Sequence, residues 1–237
     1  KKYFNTDHMQ VVVTGKGSDI LTSLENIEFN GQPIPLSYYD KYGNTTDRPE
    51  FSKPLPEGLS AKNVIEGYIE AIGGSNKLTA VKTKSTLSEA TMQGMTIQLS
   101  NQQTSKKQMK VEVSMMGNVM QKTVVNQTQG YNEMQGQKME MKGDELENAL
   151  KEASLFPELE ANSDQVSLKG IVSVDGKDAY EIQWSDKKTI FYAVDGFLKI
   201  QTVETVEMQG QIQTSTTSFN EYKAVEGILF PHKITMD

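Results

Sequence analysis

From about Val81 to the end, this chain repeats one pattern: a short stretch of alternating apolar and polar residues, then a turn. "MTIQL" (95–99) and "MKVEV" (109–113) alternate strictly, as strands with one covered face should. "AYEIQW" (179–184), "TIFYAV" (189–194) and "GILF" (227–230) continue the pattern. Gly117-Asn118, Asp175-Gly176 and Asp195-Gly196 are hairpin turn signals. Hairpin-length connections join neighbours antiparallel, which predicts a large, strongly curved antiparallel sheet and excludes a βαβ fold. Met-Gln-Gly recurs at 92–94, 134–136 and 208–210. The spacings are unequal, so we read it as a turn glycine beside a packing methionine and not as a repeat.

Two helices interrupt the strands. "SAKNVIEGYIEAIGG" (60–74) opens on Ser60, a good N-cap, and places Val64, Ile65, Tyr68, Ile69 and Ile72 on one stripe. Gly73-Gly74 supplies the left-handed residue that ends it. "GDELENALKEASLFPEL" (143–159) groups Leu146, Ala149 and Leu150 on one face, with Pro157 as its stop.

Before Gly58 the composition changes. "GNTTDRPEFSKPLPEG" (43–58) holds Pro49, Pro54 and Pro56 among polar residues and reads as an extended linker. Upstream, "MQVVVTGKGSDILTSLENI" (9–27) reads as a buried strand, a glycine turn and a helix. Gly15-x-Gly17 imitates a dinucleotide loop. The third glycine would fall at Ile20, however, and no acidic residue ends a second strand about 20 residues on. No glycine precedes the Gly-Lys pair at P-loop spacing either.

Other chemistries are also excluded. The 237 residues carry a net charge of −7 and a single arginine, Arg48, which argues against nucleic acid. There is no cysteine, hence no disulfide, thiolate zinc site or cysteine nucleophile. The only histidines, His8 and His232, belong to no zinc motif and to no Ser/His/Asp set. Two acidic groups, Glu158, Glu160 and Asp164, and Asp144, Glu145 and Glu147, read as solvated faces. No stretch is long and apolar enough for a transmembrane helix, and no signal peptide is visible. No catalytic or metal-binding residue is therefore assigned.

Two resemblances organise the rest. "KKYFNTDHMQVVVTGKGSDILTSLENI…IPLSYYDKYGN", residues 1–44, resembles the closing segment of insulinase-like (pitrilysin-type) zinc peptidases. That resemblance implies a terminal βα piece of a peptidase half-domain, whose sheet neighbours and zinc site lie in an upstream region of the same polypeptide. It further implies that the parent is a zinc metallopeptidase and that this chain alone lacks activity and cofactor. Residues 58–237, after a 45–57 linker, resemble the outer-membrane lipoprotein-sorting (LolA-like) superfamily. The features are the helix closed by Gly-Gly before "NKLTAVKT", the antiparallel series, the mid-chain helix "DELENALKEASLF" and the ending "FNEYKAVEGILFPHKI". The implied fold class is α+β: a curved antiparallel open half-barrel with a helical lid, preceded by a small α/β fragment. The implied ligand is a lipid or acylated molecule, and the implied place is the periplasm or outer membrane of a Gram-negative bacterium. In that family an arginine on an early strand holds the lid, whereas here no arginine follows Arg48.

Strand alternation sets Ile97, Leu99, Met109, Val111, Val113 and Met115 on one face, and Tyr180, Ile182 and Trp184 on another. These are the lipid-cavity candidates, with Leu146, Leu150, Leu155 and Phe156 lining the underside of the lid. Pro231 leaves the phase of the last strand open. Nine methionines lie between residues 92 and 141. Their flexible thioethers suit a promiscuous apolar surface or an irregular core equally. The alternative function is a peptide- or partner-docking module that binds no lipid, with "QGQIQTSTTS" (209–218) available for edge pairing.

Overall fold

The computed structural model describes residues 11–15, 17–29, 31–40, 42–49, 53–92, 94–162, 165–208 and 211–236. The first ten residues of the peptidase-like segment, His8 among them, Asp164 and parts of the first and third Met-Gln-Gly lie outside them.

Among the described residues, sixteen strands and four α-helices follow one another. The N-terminal part holds α1 (Gly17–Glu25) and two small hairpins: β1 (Glu28–Phe29) with β2 (Gln32–Pro33), and β3 (Tyr38–Tyr39) with β4 (Thr45–Thr46). Glu25 at the end of α1 ties the pieces together. It accepts two hydrogen bonds from Arg48, at 2.5 and 2.9 Å, and one from the Tyr38 hydroxyl at 3.0 Å. The "YDKYGN" segment turns because Asp40 accepts from the backbone N–H groups of Tyr42 and Asn44, while Gly43 takes a positive φ of 85°. The expected buried strand is not formed at Val11–Val13. These valines are 76, 85 and 51% exposed and outside any sheet, because no described strand lies beside them.

Lys53, within the expected linker, docks on the second half of the chain. It makes an antiparallel bridge to Ile171, and its ammonium reaches Asp178 at 2.6 Å.

α2 (Ala61–Ile72) starts at Ser60, whose side chain accepts from the Asn63 N–H while Asn63 reaches back to the Ser60 N–H. α3 (Ser75–Ala80) follows at once, a short helix with no warning in the sequence pattern. Two six-stranded meanders come next. The first runs β5 (Thr83–Met92), β6 (Met95–Thr104), β7 (Gln108–Met115), β8 (Asn118–Asn126), β9 (Gln129–Met134) and β10 (Gln137–Glu140). The second runs β11 (Ser167–Val174), β12 (Lys177–Ser185), β13 (Lys188–Ala193), β14 (Lys199–Met208), β15 (Gln211–Val225) and β16 (Ile228–Met236). Every pairing is antiparallel between sequence neighbours.

The antiparallel class is thus as read, but two sheets stand in place of the one expected. Between β10 and β11 come α4 (Asp144–Glu152) and a 3-10 turn at Pro157–Glu160, so those edges do not meet. The expected helix over 143–159 ends at Glu152. Pro157 opens the 3-10 turn and does not close the α-helix, consistent with a ring that fits a first turn but not an interior. Of the expected hairpin turns, Asp175-Gly176 has both central residues at positive φ, whereas the turn read at Gly117-Asn118 falls on Met116-Gly117 and the one read at Asp195-Gly196 puts positive φ on Gly196 and Phe197. Register runs unbroken through Pro231, opposite Tyr222, on the edge strand β16 where a missing N–H costs least.

α2 packs on the second sheet. Val64, Ile65, Tyr68 and Ile72 are buried with Ile171, Tyr180, Ile182, Ile190 and Tyr192. Each such side chain contributes about 1.5–3 kcal/mol by leaving water. Gly67 sits where α2 crosses Phe197, and an added methyl there would meet the ring at 2.6 Å. Helix propensity alone would favour alanine by about 1 kcal/mol. Overpacking of a core contact costs about 1–3 kcal/mol. We therefore expect Gly67→Ala to lower stability by up to about 2 kcal/mol in urea denaturation. A stabilised variant would show that the ring is free to move aside.

Candidate ligand-binding face

The six candidates on the first sheet do share a face. Register sets Ile97 opposite Met115, Leu99 opposite Val113, Val111 opposite Asn101, and Met109 opposite Gln103. Extending the rows through β8 and β9 adds Val125 beside Met109 and Met134 in the row of Val113. Met139, opposite Asn132, joins the row of Val111. The opposite face is mixed: Lys110 and Lys122 flank Glu112 there, at 2.9 and 3.7 Å, and Leu87, Val124 and Tyr131 share it.

α4 covers only part of the apolar face. Its Leu146, Ala149 and Leu150 pack with Met109, Val111, Val125 and Met141. Gly130 lets it lie close, since a methyl there would meet the Met141 sulfur at 2.9 Å and Leu146 at 3.3 Å. Further along the same strands the cover stops. Leu99 is 41% exposed, Met134 51% and Met139 58%, while Ile97, Val113 and Met115 are half-buried. Asn101 lies where cover gives way, and its buried side-chain carbonyl has no hydrogen-bond partner. An acceptor in that state costs about 1–3 kcal/mol unless a donor arrives.

The second set of candidates has a different place. Tyr180 and Ile182 are buried under α2, with Tyr180 stacked on Phe197 at 5.7 Å, so that part of the second sheet is filled core. Trp184 lies at its margin and lines a cavity of about 340 Å³ on the same face. Ile190, Phe219 and Met236 give this cavity its apolar wall, and Thr202, Ser215 and Thr217 its hydroxyls. Two ion pairs stand in it: Lys188 with Glu204 at 2.6 Å and Lys199 with Glu158 at 2.7 Å. The four lid candidates divide likewise. Leu146 and Leu150 sit on the first sheet, whereas Leu155 and Phe156, beyond the end of α4, join the core under α2.

Residues 152–160 hold the two parts together. Gln103 of β6 donates to the carbonyls of Glu152 and Ser154, and Lys84 of β5 to the carbonyl of Leu155 at 3.0 Å. Lys107 pairs with Glu160 at 2.7 Å. From the second sheet, Lys199 binds Glu158, which is buried. Of these two acids read from sequence as a solvated face, Glu158 is buried and acts as an anchor, whereas Glu160 is exposed as read and pairs with Lys107 at the surface. No arginine reaches this segment among the described contacts; the cation that does so from β5 is Lys84. Nothing marked it in sequence except its place near the start of the first long strand. Around Glu158 stand two buried tyrosines, Tyr68 and Tyr192, and the partly buried Tyr222. Tyr68 hydrogen-bonds to Tyr222, whose hydroxyl donates to the Lys199 carbonyl, and the Tyr192 hydroxyl has no partner. Burial, reinforced by the charge of Glu158, pushes all three phenols above their usual range.

His232 places a ring nitrogen 3.0 Å from the Phe230 carbonyl and is exposed. Among the described residues no cluster of His, Cys, Asp or Glu could hold a metal ion. No described helix is long and apolar enough to cross a membrane.

No protein-family model matches the chain, and no curated protein matches it. Among solved structures, it is similar to a crystal structure of a LolA superfamily protein from Nitrosomonas europaea. Sequence identity is 13% and the TM-score 0.48, over 76% of this chain and 86% of that one.

Burial draws the Lys84 ammonium down to about 8, against the pull of Glu158 and with the push of Lys199. Between about 8 and the unfolded value of 10.5 the native state has lost a proton that the unfolded state keeps. The contribution of Lys84 to stability is then present above 10.5 and lost as pH falls through 8. We expect the stability of the parent relative to Lys84→Met to be level below pH 8 and to rise from 8 to 10.5. Chemical denaturation at stepped pH measures this, and a level difference across that window would contradict the burial of a charged amine.

Proposed function

We propose that residues 58–237 form a LolA-like open half-barrel that binds a lipid or acylated ligand by its chain, on the uncovered apolar face of the first sheet. The observation that carries this is the mismatch between the face and its cover. Ile97, Leu99, Val113 and Met115 continue the strip beyond α4 and are half-buried or exposed, and Met134 and Met139 stand further along the rows of Val113 and Val111, past Gln121 and past Thr123 and Asn132. Contiguous apolar surface rimmed by polar residues marks a binding site. Methionines suit it to chains of varied shape, and each buried methylene contributes about 0.8 kcal/mol without any polar contact. The pattern resemblance to lipoprotein-sorting domains agrees, and with it comes a place of work in the Gram-negative periplasm or at its outer membrane. Native mass spectrometry for co-purifying lipid, together with a fluorescent fatty acid, tests the reading. Leu99→Asp and Met134→Lys lie at exposed positions and leave the fold intact. Each should weaken probe binding about ten- to a hundredfold, the effect of ~1.4–2.8 kcal/mol. Absence of lipid and of probe binding in the parent, or no response to either substitution, would leave a docking module without a lipid ligand.

For residues 1–44 we propose the insulinase-like assignment, as a segment whose Val11–Val13 seek a neighbouring sheet. Their exposure supports it. The chain then contributes partner contacts and no chemistry. A zinc and peptidase assay should give neither stoichiometric metal nor turnover. Turnover with zinc at His8 or His232 would contradict this.

A further inference from the structure

We propose that the cavity beside Trp184 seats the polar end of the ligand and selects an amphiphile whose head is zwitterionic, disfavouring anionic or cationic heads on the same acyl chain. This rests on the lipid reading above. Residues 144–160 run between the two: Leu146 and Leu150 of α4 lie on the first sheet, Glu152 at its end interacts with Lys188 and Glu204 of the cavity, and Glu158 lines the cavity. The linings differ in kind. The face offers thioethers and aliphatic groups, whereas the cavity offers hydroxyls and two ion pairs beside an aromatic wall.

The pairing sets the selectivity. Lys188 is matched by Glu204 and Lys199 by Glu158, so the lining has no charge left over for a charged head to neutralise. An anionic head would reach the lysines only alongside two carboxylates. A cationic head would meet the converse. A head bearing both signs can lie across a pair, each end against its opposite, at no net electrostatic cost. At about 340 Å³, the cavity is at the small end of ligand sites and fits a head group rather than a whole lipid. Glu152, at the end of α4, feels both Glu204 and Lys188, and burial raises its pKa, so this region resists further negative charge.

The test compares lysophospholipids of one acyl chain: a lysophosphatidylethanolamine, a lysophosphatidylglycerol and the corresponding free fatty acid, titrated into the full chain by calorimetry. We expect the zwitterion to bind about tenfold or more tightly than either anion. Removing one partner should redirect the preference. Glu204→Gln leaves Lys188 unmatched and should favour the anionic heads. Lys188→Met leaves Glu204 unmatched and should disfavour them further. Both residues are partly exposed on strands, and circular dichroism checks that the variants fold. Equal binding of all three amphiphiles, unmoved by either substitution, overturns this inference and leaves the acyl-chain reading standing. Binding of none of them overturns both.

Discussion

The two sheets share no hydrogen-bonded strand pair among the described residues, so their relation depends on residues 152–160. Gln103 and Lys84 grip the carbonyls of that segment from one side, and Lys199 grips Glu158 from the other. The two grips differ physically. The carbonyl bonds satisfy a loop that runs inside the molecule, where an orphaned group would be costly. The Glu158–Lys199 pair is a buried charge pair, which adds little net stability while intact but is severe to break from one side. A junction of this kind fixes geometry more than it adds energy, and both the filled core under α2 and the partial cover by α4 follow from where it holds the chain.

The cover is uneven because the helices are. α2 has a full apolar stripe and buries it across the second sheet. α4 has one short apolar edge and a run of acids, enough to seal only the Met109 end of the first sheet. Apolar residues that alternation places beyond it remain at the surface. A binding face made in this way needs no motif, since burial of methylenes is non-directional. The polar cavity at the other side of the same segment is the opposite kind of site, where orientation is set by paired charges and hydroxyls.

Period-two alternation made the strands legible, and with them the shared face of Ile97, Leu99, Met109, Val111, Val113 and Met115. The capping signals of Ser60 and Gly73 did the same for α2. Three features were not legible. Val11–Val13 have the apolar run of a buried strand, but a strand exists only with a partner. Ala153 to Phe156 keep helical composition, yet the Ser154 and Leu155 carbonyls are taken by Gln103 and Lys84, contacts some fifty to seventy residues away in sequence. Local pattern does not encode such contacts. Tyr180 and Ile182 looked equivalent to Met109 and Val111, and only the placement of α2 made one pair solid core and set the other at the margin of an open face.

The central claim is that the uncovered methionine-bearing face receives the acyl chain. Methyl-carbon-labelled methionine followed by NMR during titration with a fatty acid tests it directly. The account predicts that the Met115, Met134 and Met139 methyl resonances shift together and saturate, while Met109 and Met141, sealed beneath α4, move little. Saturating shifts confined to methionines away from this face, or none at all, would contradict it.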